Sequence, residues 1–213
     1  MNSFSKFLLT ITALISYLTA AAAKELPSEL RGLESRYKKS TAMTARFEQI
    51  IHNSSLGRDE SSKGRLYIMR PNLFRWETFA PEPSILTSNG RYAWYYTPPF
   101  REGEAGQVTK RDAKTIPSKL AVQLLAGRIE AAGKFDISPI KDLEFRLVPL
   151  EKQGDLDHIE LILESQTKLV YKIRLISKSG NKTEITLLDV DLAPRLSKSM
   201  FTFQVPPGTE VIE

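Results

Sequence analysis

The sequence predicts a mainly β fold of the α+β class: one curved antiparallel sheet, shaped as a half-barrel, under a lid of short helices. Three observations carry this reading. Stretches of strand character recur along most of the 213 residues, separated by turn formers such as Asn89-Gly90, Gln153-Gly154-Asp155 and Ser179-Gly180-Asn181. Helical periodicity is confined to a few short segments. The strands carry many bulky apolar side chains, which need a cover that so few helices can supply on one face only. A composition of 41% apolar and 26% charged residues excludes wholesale disorder, collagen and a polytopic membrane protein.

The chain opens with a single basic residue, Lys6, an apolar run from Phe7 to Leu18, and Ala21-Ala22-Ala23 as a small-residue cleavage site. Residues 1–23 are therefore expected to be a Sec-type signal peptide cut after Ala23. Residues 24–213 are expected to form one exported domain. No Cys follows the cleavage site, so lipidation there is excluded, and disulfides and thiolate metal sites fall away with it.

Leu26, Leu30, Leu33 and Tyr37 share one helical face, with Lys38-Lys39 suited to the negative C-terminal end. Strand character begins at Met43 and runs to Ile51. The polar stretch Asn53 to Lys63 reads as a loop or hairpin tip. Strands follow at Gly64–Arg70 and Leu73–Phe79, broken by Pro71. Ser84–Ser88 and Arg91–Thr97 flank Asn89-Gly90, a strong hairpin signal. Pro98 to Lys114 reads as a long mobile connection. Ser118 to Gly127 reads as a helix with Leu120, Leu124 and Leu125 on one face, Ser118 at its start and Gly127 at its end. Five further strands are expected at Glu144–Leu150, His158–Glu164, Leu169–Ser177, Thr183–Leu192 and Phe201–Gln204. The total is nine or ten strands with two or three helices.

Period-2 alternation sets Leu66, Ile68 and Arg70 on one face of their strand, and Phe74 and Trp76 together on theirs. By themselves these residues leave open whether the interior is a filled core or a cavity. Catalytic signals are sparse. The two histidines, His52 and His158, have no ligand spacing, and Asp155, Asp157, His158 and Glu160 read as a solvated turn rather than a metal site. No Gly-x-Ser-x-Gly elbow and no Gly-rich phosphate loop occurs. The basic residues Lys110, Arg111, Lys114 and Lys119 lack the interleaved aromatics of a nucleic-acid surface. A binding protein is expected rather than an enzyme, with no cofactor, no resident metal, no catalytic residue and no nucleic-acid partner.

Arg70-Pro71-Asn72-Leu73-Phe74-Arg75-Trp76, Ser84 to Gly90, Trp94-Tyr95-Tyr96, the tail Phe201 to Gly208, and Phe47-Glu48-Gln49 after the first helix keep a common order. Together they resemble the LolA family of periplasmic lipoprotein carriers, across nearly all of residues 24–213. The resemblance implies an incomplete antiparallel β-barrel with a helical lid enclosing an apolar cavity. It implies a monomeric shuttle that takes triacylated lipoproteins from an inner-membrane ABC transporter of the LolCDE type and hands them to a LolB-type outer-membrane receptor, where one is present. It also implies that Arg70 latches the lid by hydrogen bonds and that Phe74 handles acyl chains. On this reading the cavity is lined by Leu66, Ile68, Phe74 and Trp76 from the first strands, and by Ile85 and Trp94 from the hairpin. Leu120, Leu124 and Leu125 complete it from the lid, while Lys119 and Arg128 stay wet. The basic Pro98–Lys114 connection departs from the family pattern. The alternative is a periplasmic lipid- or lipoprotein-sensing domain on the same scaffold. Such domains usually carry a second domain, for which the chain to Glu213 is expected to leave no room.

Overall fold

Helical spacing of Leu30, Leu33 and Tyr37 produces α1 (Ser28–Lys38), entered after Pro27 and burying those three side chains. The computed structural model describes residues 25–116, 118–129 and 135–212, so the expected signal peptide lies outside the described residues. Two antiparallel meanders follow α1. The first comprises β1 (Ala42–Asn53), β2 (Arg58–Met69), β3 (Leu73–Ala80), β4 (Ser84–Ser88), β5 (Tyr92–Thr97) and β6 (Gln107–Asp112). After α2 (Lys119–Leu125) come β7 (Phe135–Lys141), β8 (Glu144–Pro149), β9 (Leu156–Leu163), β10 (Val170–Ser177) and β11 (Lys182–Asp191). Pairing of β1 with β11 joins the meanders into one sheet of order β12-β6-β5-β4-β3-β2-β1-β11-β10-β9-β8-β7, with β12 (Glu210–Ile212) parallel to β6. The end strands β7 and β12 do not pair with each other, so the sheet is curved but unclosed.

Asn89-Gly90 forms the expected hairpin turn. Gly90 has φ of +88°, and the Asn89 side-chain oxygen accepts from the backbone N–H groups of Arg91 (3.0 Å) and Tyr92 (2.9 Å).

Four expectations need correction. The stretch Asn53–Lys63 is mostly strand: β1 reaches Asn53, which pairs with Arg58 at the start of β2. Its residues are exposed on both sides, so no alternation marks them, and the backbone ladder alone holds them extended. Within Pro98–Lys114 lies β6, in which Val108 is the single buried residue, too few for a visible period. The ladders to β5 and β12 fix it instead. Phe135–Lys141 is a strand despite Pro139, because β7 is an edge and needs fewer ladder donors. Finally, Phe201–Gln204 is no strand. A 3₁₀ turn spans Lys198–Phe201, started by the Ser197 hydroxyl accepting from the Ser199 N–H, and Phe201 is fully buried. Together with β12, which the sequence pattern also left unassigned, these changes bring the count to twelve strands among the described residues.

Candidate functional site on the inner face

Cross-strand partners point to the same side of a sheet, so the register defines the two faces. Register and period-2 alternation together put Leu147, Ile159, Ile173, Ile185, Phe47, Leu66, Trp76, Leu86 and Tyr95 on the inner face, with Leu66, Trp76, Leu86 and Tyr95 as one row of direct partners. Ile68, Phe74 and Ala93 lie in the next row, and the buried members of both rows form one apolar cluster with α1 and α2. Close packing at the centre depends on Gly64. A Cβ there would lie 1.8 Å from the Glu77 carbonyl oxygen and 2.8 Å from the Phe47 ring. Without it, Phe47 lies over the strand and meets Trp76 at 4.7 Å between ring centroids.

The inner face is covered by α2, whose main strand neighbour is β10 and whose Val122 and Ala126 face Ile68 and Phe74 across a cavity. Leu124 and Leu125 are fully buried and Leu120 is half-buried against the same cluster. Ser118 makes no side-chain cap bond, unlike the expected start. The C-terminal end is strongly specified. Gly127 N–H donates to the Leu124 carbonyl and Arg128 N–H to the Gln123 carbonyl, each at 2.9 Å, the paired bonds of a Schellman motif. Gly127 takes φ of +66° and presses on Tyr37 of α1, where an added Cβ would stand 2.4 Å from the ring. Tyr37 in turn accepts the Val170 backbone N–H through its hydroxyl at 3.3 Å, and burial pushes its phenol pKa up. Thus α2 is docked on α1, and α1 on β10.

Two openings flank this cover. One, of about 220 Å³, has a floor of Ile68, Phe74, Val122 and Ala126 and a rim of Lys114, Lys119 and Arg128. The other is a wider groove of about 510 Å³ between Leu86, Ala93 and Tyr95 of the sheet and Ile116 and Ser118.

Of the residues assigned to the cavity from sequence, Leu66, Ile68, Phe74 and Trp76 share the inner face with the buried side of α2. Ile85 and Trp94 do not. Ile85 pairs with Glu77 and Tyr96, and Trp94 with Thr87 and Lys110, which places both on the outer face. That face has its own cover, the C-terminal segment: Arg75 donates to the Met200 carbonyl at 3.4 Å, and Phe203 stacks against Tyr96 at 5.2 Å. Aromatic alternation in Tyr92–Tyr96 identifies a buried face without saying which, and the tail claims it.

Arg70 ends the inner-face row of β2. Its backbone N–H donates to the Thr41 carbonyl at 2.9 Å, and its side chain lines a narrow cleft beside Tyr37 and Ala126. Its guanidinium makes no side-chain hydrogen bond among the described residues. Arg128, expected to stay wet, is half-buried and donates to Asn72 Oδ1 at 3.1 Å. Burial first, and then the nearby charge of Arg70, lower its pKa.

The acidic groups around His158 and Arg174 are engaged in structure. His158 Nδ1 pairs with Asp157 at 2.7 Å, and Asp155 accepts from the Ser179 hydroxyl at 2.5 Å. On the outer face Arg174 joins Glu184 (2.7 Å) and Glu160 (3.0 Å), bonds that raise its pKa.

The family model for outer membrane lipoprotein carrier protein LolA matches residues 38–204. The chain belongs to the LolA family. Among its relatives, an outer-membrane lipoprotein carrier protein of Pseudomonas paraeruginosa is 30% identical over 92% of each chain. Another, of Pseudomonas aeruginosa, is 32% identical over 82% of this chain and 83% of its own. A third, of Azotobacter vinelandii, is 30% identical over 96% and 97%. Among solved structures, an uncharacterized conserved protein of Thermus thermophilus has the same fold, with a TM-score of 0.52 at 13% identity over 85% of this chain and 97% of that one. The matched LolA region spans the sheet from β1 through β11, together with α2.

Proposed function

We propose that this LolA-family protein is a periplasmic carrier of acylated lipoproteins. It accepts them from an inner-membrane ABC transporter of the LolCDE type, shields their acyl chains against the inner face, and delivers them to an outer-membrane receptor such as LolB. Residues 1–23 export it, and it works as a monomer without catalysis. The observation that carries this reading is the continuous apolar inner face, covered near Ile68 and Phe74 by the seven-residue α2 and open on both flanks of that helix among the described residues.

Acyl chains enter by lifting α2, with Leu120, Leu124 and Leu125 exchanging their contacts with the sheet for contacts with the cargo. Leu66, Ile68, Phe74 and Trp76 form the wall. Each methylene buried contributes about 0.8 kcal/mol, so a dozen give on the order of 10 kcal/mol. Breaking the α2 contacts offsets part of that gain and keeps the cargo releasable. Arg70 stands beside Ala126 at the end of α2, where a small shift of the helix brings backbone carbonyls to its five donors.

Isolation of the protein from periplasm, followed by mass spectrometry, tests this reading. Triacylated lipoproteins should co-purify with it. Recovery without any acylated protein, under conditions that retain lipoproteins on a known carrier, would overturn the assignment.

A further inference from the structure

Beside α2, an apolar floor is joined to a rim of one charge sign. The 220 Å³ cavity is lined by Lys114, Lys119 and Arg128, and no carboxylate lines it among the described residues. Lys114 and Lys119 make no ion pair among the described residues, whereas Lys141, Lys172 and Arg174 elsewhere on the sheet each have a carboxylate partner. At this size the cavity lies below the roughly 300–1,000 Å³ of ordinary ligand sites, so it suits one acyl chain and not three.

We infer that this cavity binds a single-chain anionic amphiphile, with its alkyl chain on Ile68, Phe74, Val122 and Ala126 and its carboxylate or phosphate between Lys119, Arg128 and Lys114. The inference rests on the reading of the inner face as an acyl-chain site, and it adds a ligand distinct from the lipoprotein cargo. Arg128 already gives up part of its hydration to burial and is pressed by the charge of Arg70. An anion at the rim relieves that repulsion and supplies charge-assisted hydrogen bonds in a partly dry setting. Because the chain would occupy Phe74 and Val122, between the sheet and α2, such an amphiphile would compete with cargo.

Isothermal titration with decanoate, decyl phosphate, decanol and decyltrimethylammonium at low salt separates the contributions. Decanoate or decyl phosphate should bind about tenfold tighter than decanol, and the cationic probe more weakly than decanol. Preference for decanoate identifies a free fatty acid as the ligand, and preference for decyl phosphate a phosphorylated lipid. The double variant Lys119→Gln/Arg128→Gln should shrink the anion preference to less than about threefold, with its decanol binding reporting that the cavity is still folded. Equal affinity for decanoate, decyl phosphate and decanol would overturn the anion site while leaving the acyl-chain reading intact. Failure of all four probes to bind would overturn both.

Discussion

Replacing Gly127 by Ala should loosen α2 from α1 without disturbing the sheet. Two costs add at this position. A residue with a side chain at φ of +66° loses about 1–2 kcal/mol against Gly. The new Cβ would also meet the Tyr37 ring at 2.4 to 2.9 Å, closer than real contacts allow, and forcing extra volume into a packed site costs typically about 1–3 kcal/mol. Tyr37 has little freedom to yield, being 2% exposed and tied to the Val170 N–H. A sum of about 3 kcal/mol raises the opening of α2 by roughly a hundredfold if the loss is confined to the helix contact. Gly154 isolates the backbone contribution: its φ is +56° and nothing lies within 4 Å of an added Cβ. Hydrogen exchange on both variants is the assay. Gly127→Ala should accelerate amides of Val122 to Ala126 strongly, with little change in Leu66 and Ile68, and should increase uptake of an apolar dye. Gly154→Ala should leave both readouts near wild type. Unchanged exchange in α2 of Gly127→Ala, or equal effects of the two substitutions, would refute the docking of α2 through Tyr37.

Other consequences can be measured directly. Trp76 lies on the inner face and Trp94 on the outer, so with the other Trp replaced by Phe, an apolar ligand should shift the emission of Trp76 and leave that of Trp94 unchanged. Arg70→Leu should fold normally by thermal melting yet slow delivery of lipoprotein in a reconstituted transfer; transfer at the normal rate would remove Arg70 from the cycle. Glu164 accepts backbone N–H bonds from Thr167 (2.5 Å) and Gln166 (3.0 Å), bonds that lower its pKa from 4.5 to about 2. Since the folded value lies below the unfolded one, the support this turn gains is complete above about pH 4.5 and fades as pH falls toward 2. An NMR titration of Glu164 should therefore show a midpoint near 2, and Glu164→Gln should flatten the loss of stability over that interval. Leu66→Ala, at a fully buried position in the middle of the inner face, should cost about 2–5 kcal/mol in denaturant unfolding.

Local patterning made much of this molecule legible in the sequence. The spacing of Leu30, Leu33 and Tyr37, the alternation of Leu66 and Ile68, the Asn89-Gly90 turn and the Gly127 helix end all describe interactions within a few residues, where side-chain period and backbone freedom act directly. The Arg70–Trp76 stretch and its companion motifs carried the family in the same way. What remained hidden depends on partners far along the chain. The polar ends of β1 and β2, the sparse β6 and the Pro-bearing β7 are strands because a neighbour completes their ladder, and an exposed ladder leaves no hydrophobic period to read. Trp94 and Ile85 belong to the outer face because the C-terminal segment buries that side, with Phe201 and Phe203 as its anchors. The rim of Lys114, Lys119 and Arg128 likewise exists only after α2 folds back over Ile68 and Phe74. Alternation determines that two residues share a face; which face becomes the interior is decided by what packs against it, and that is a property of the whole chain.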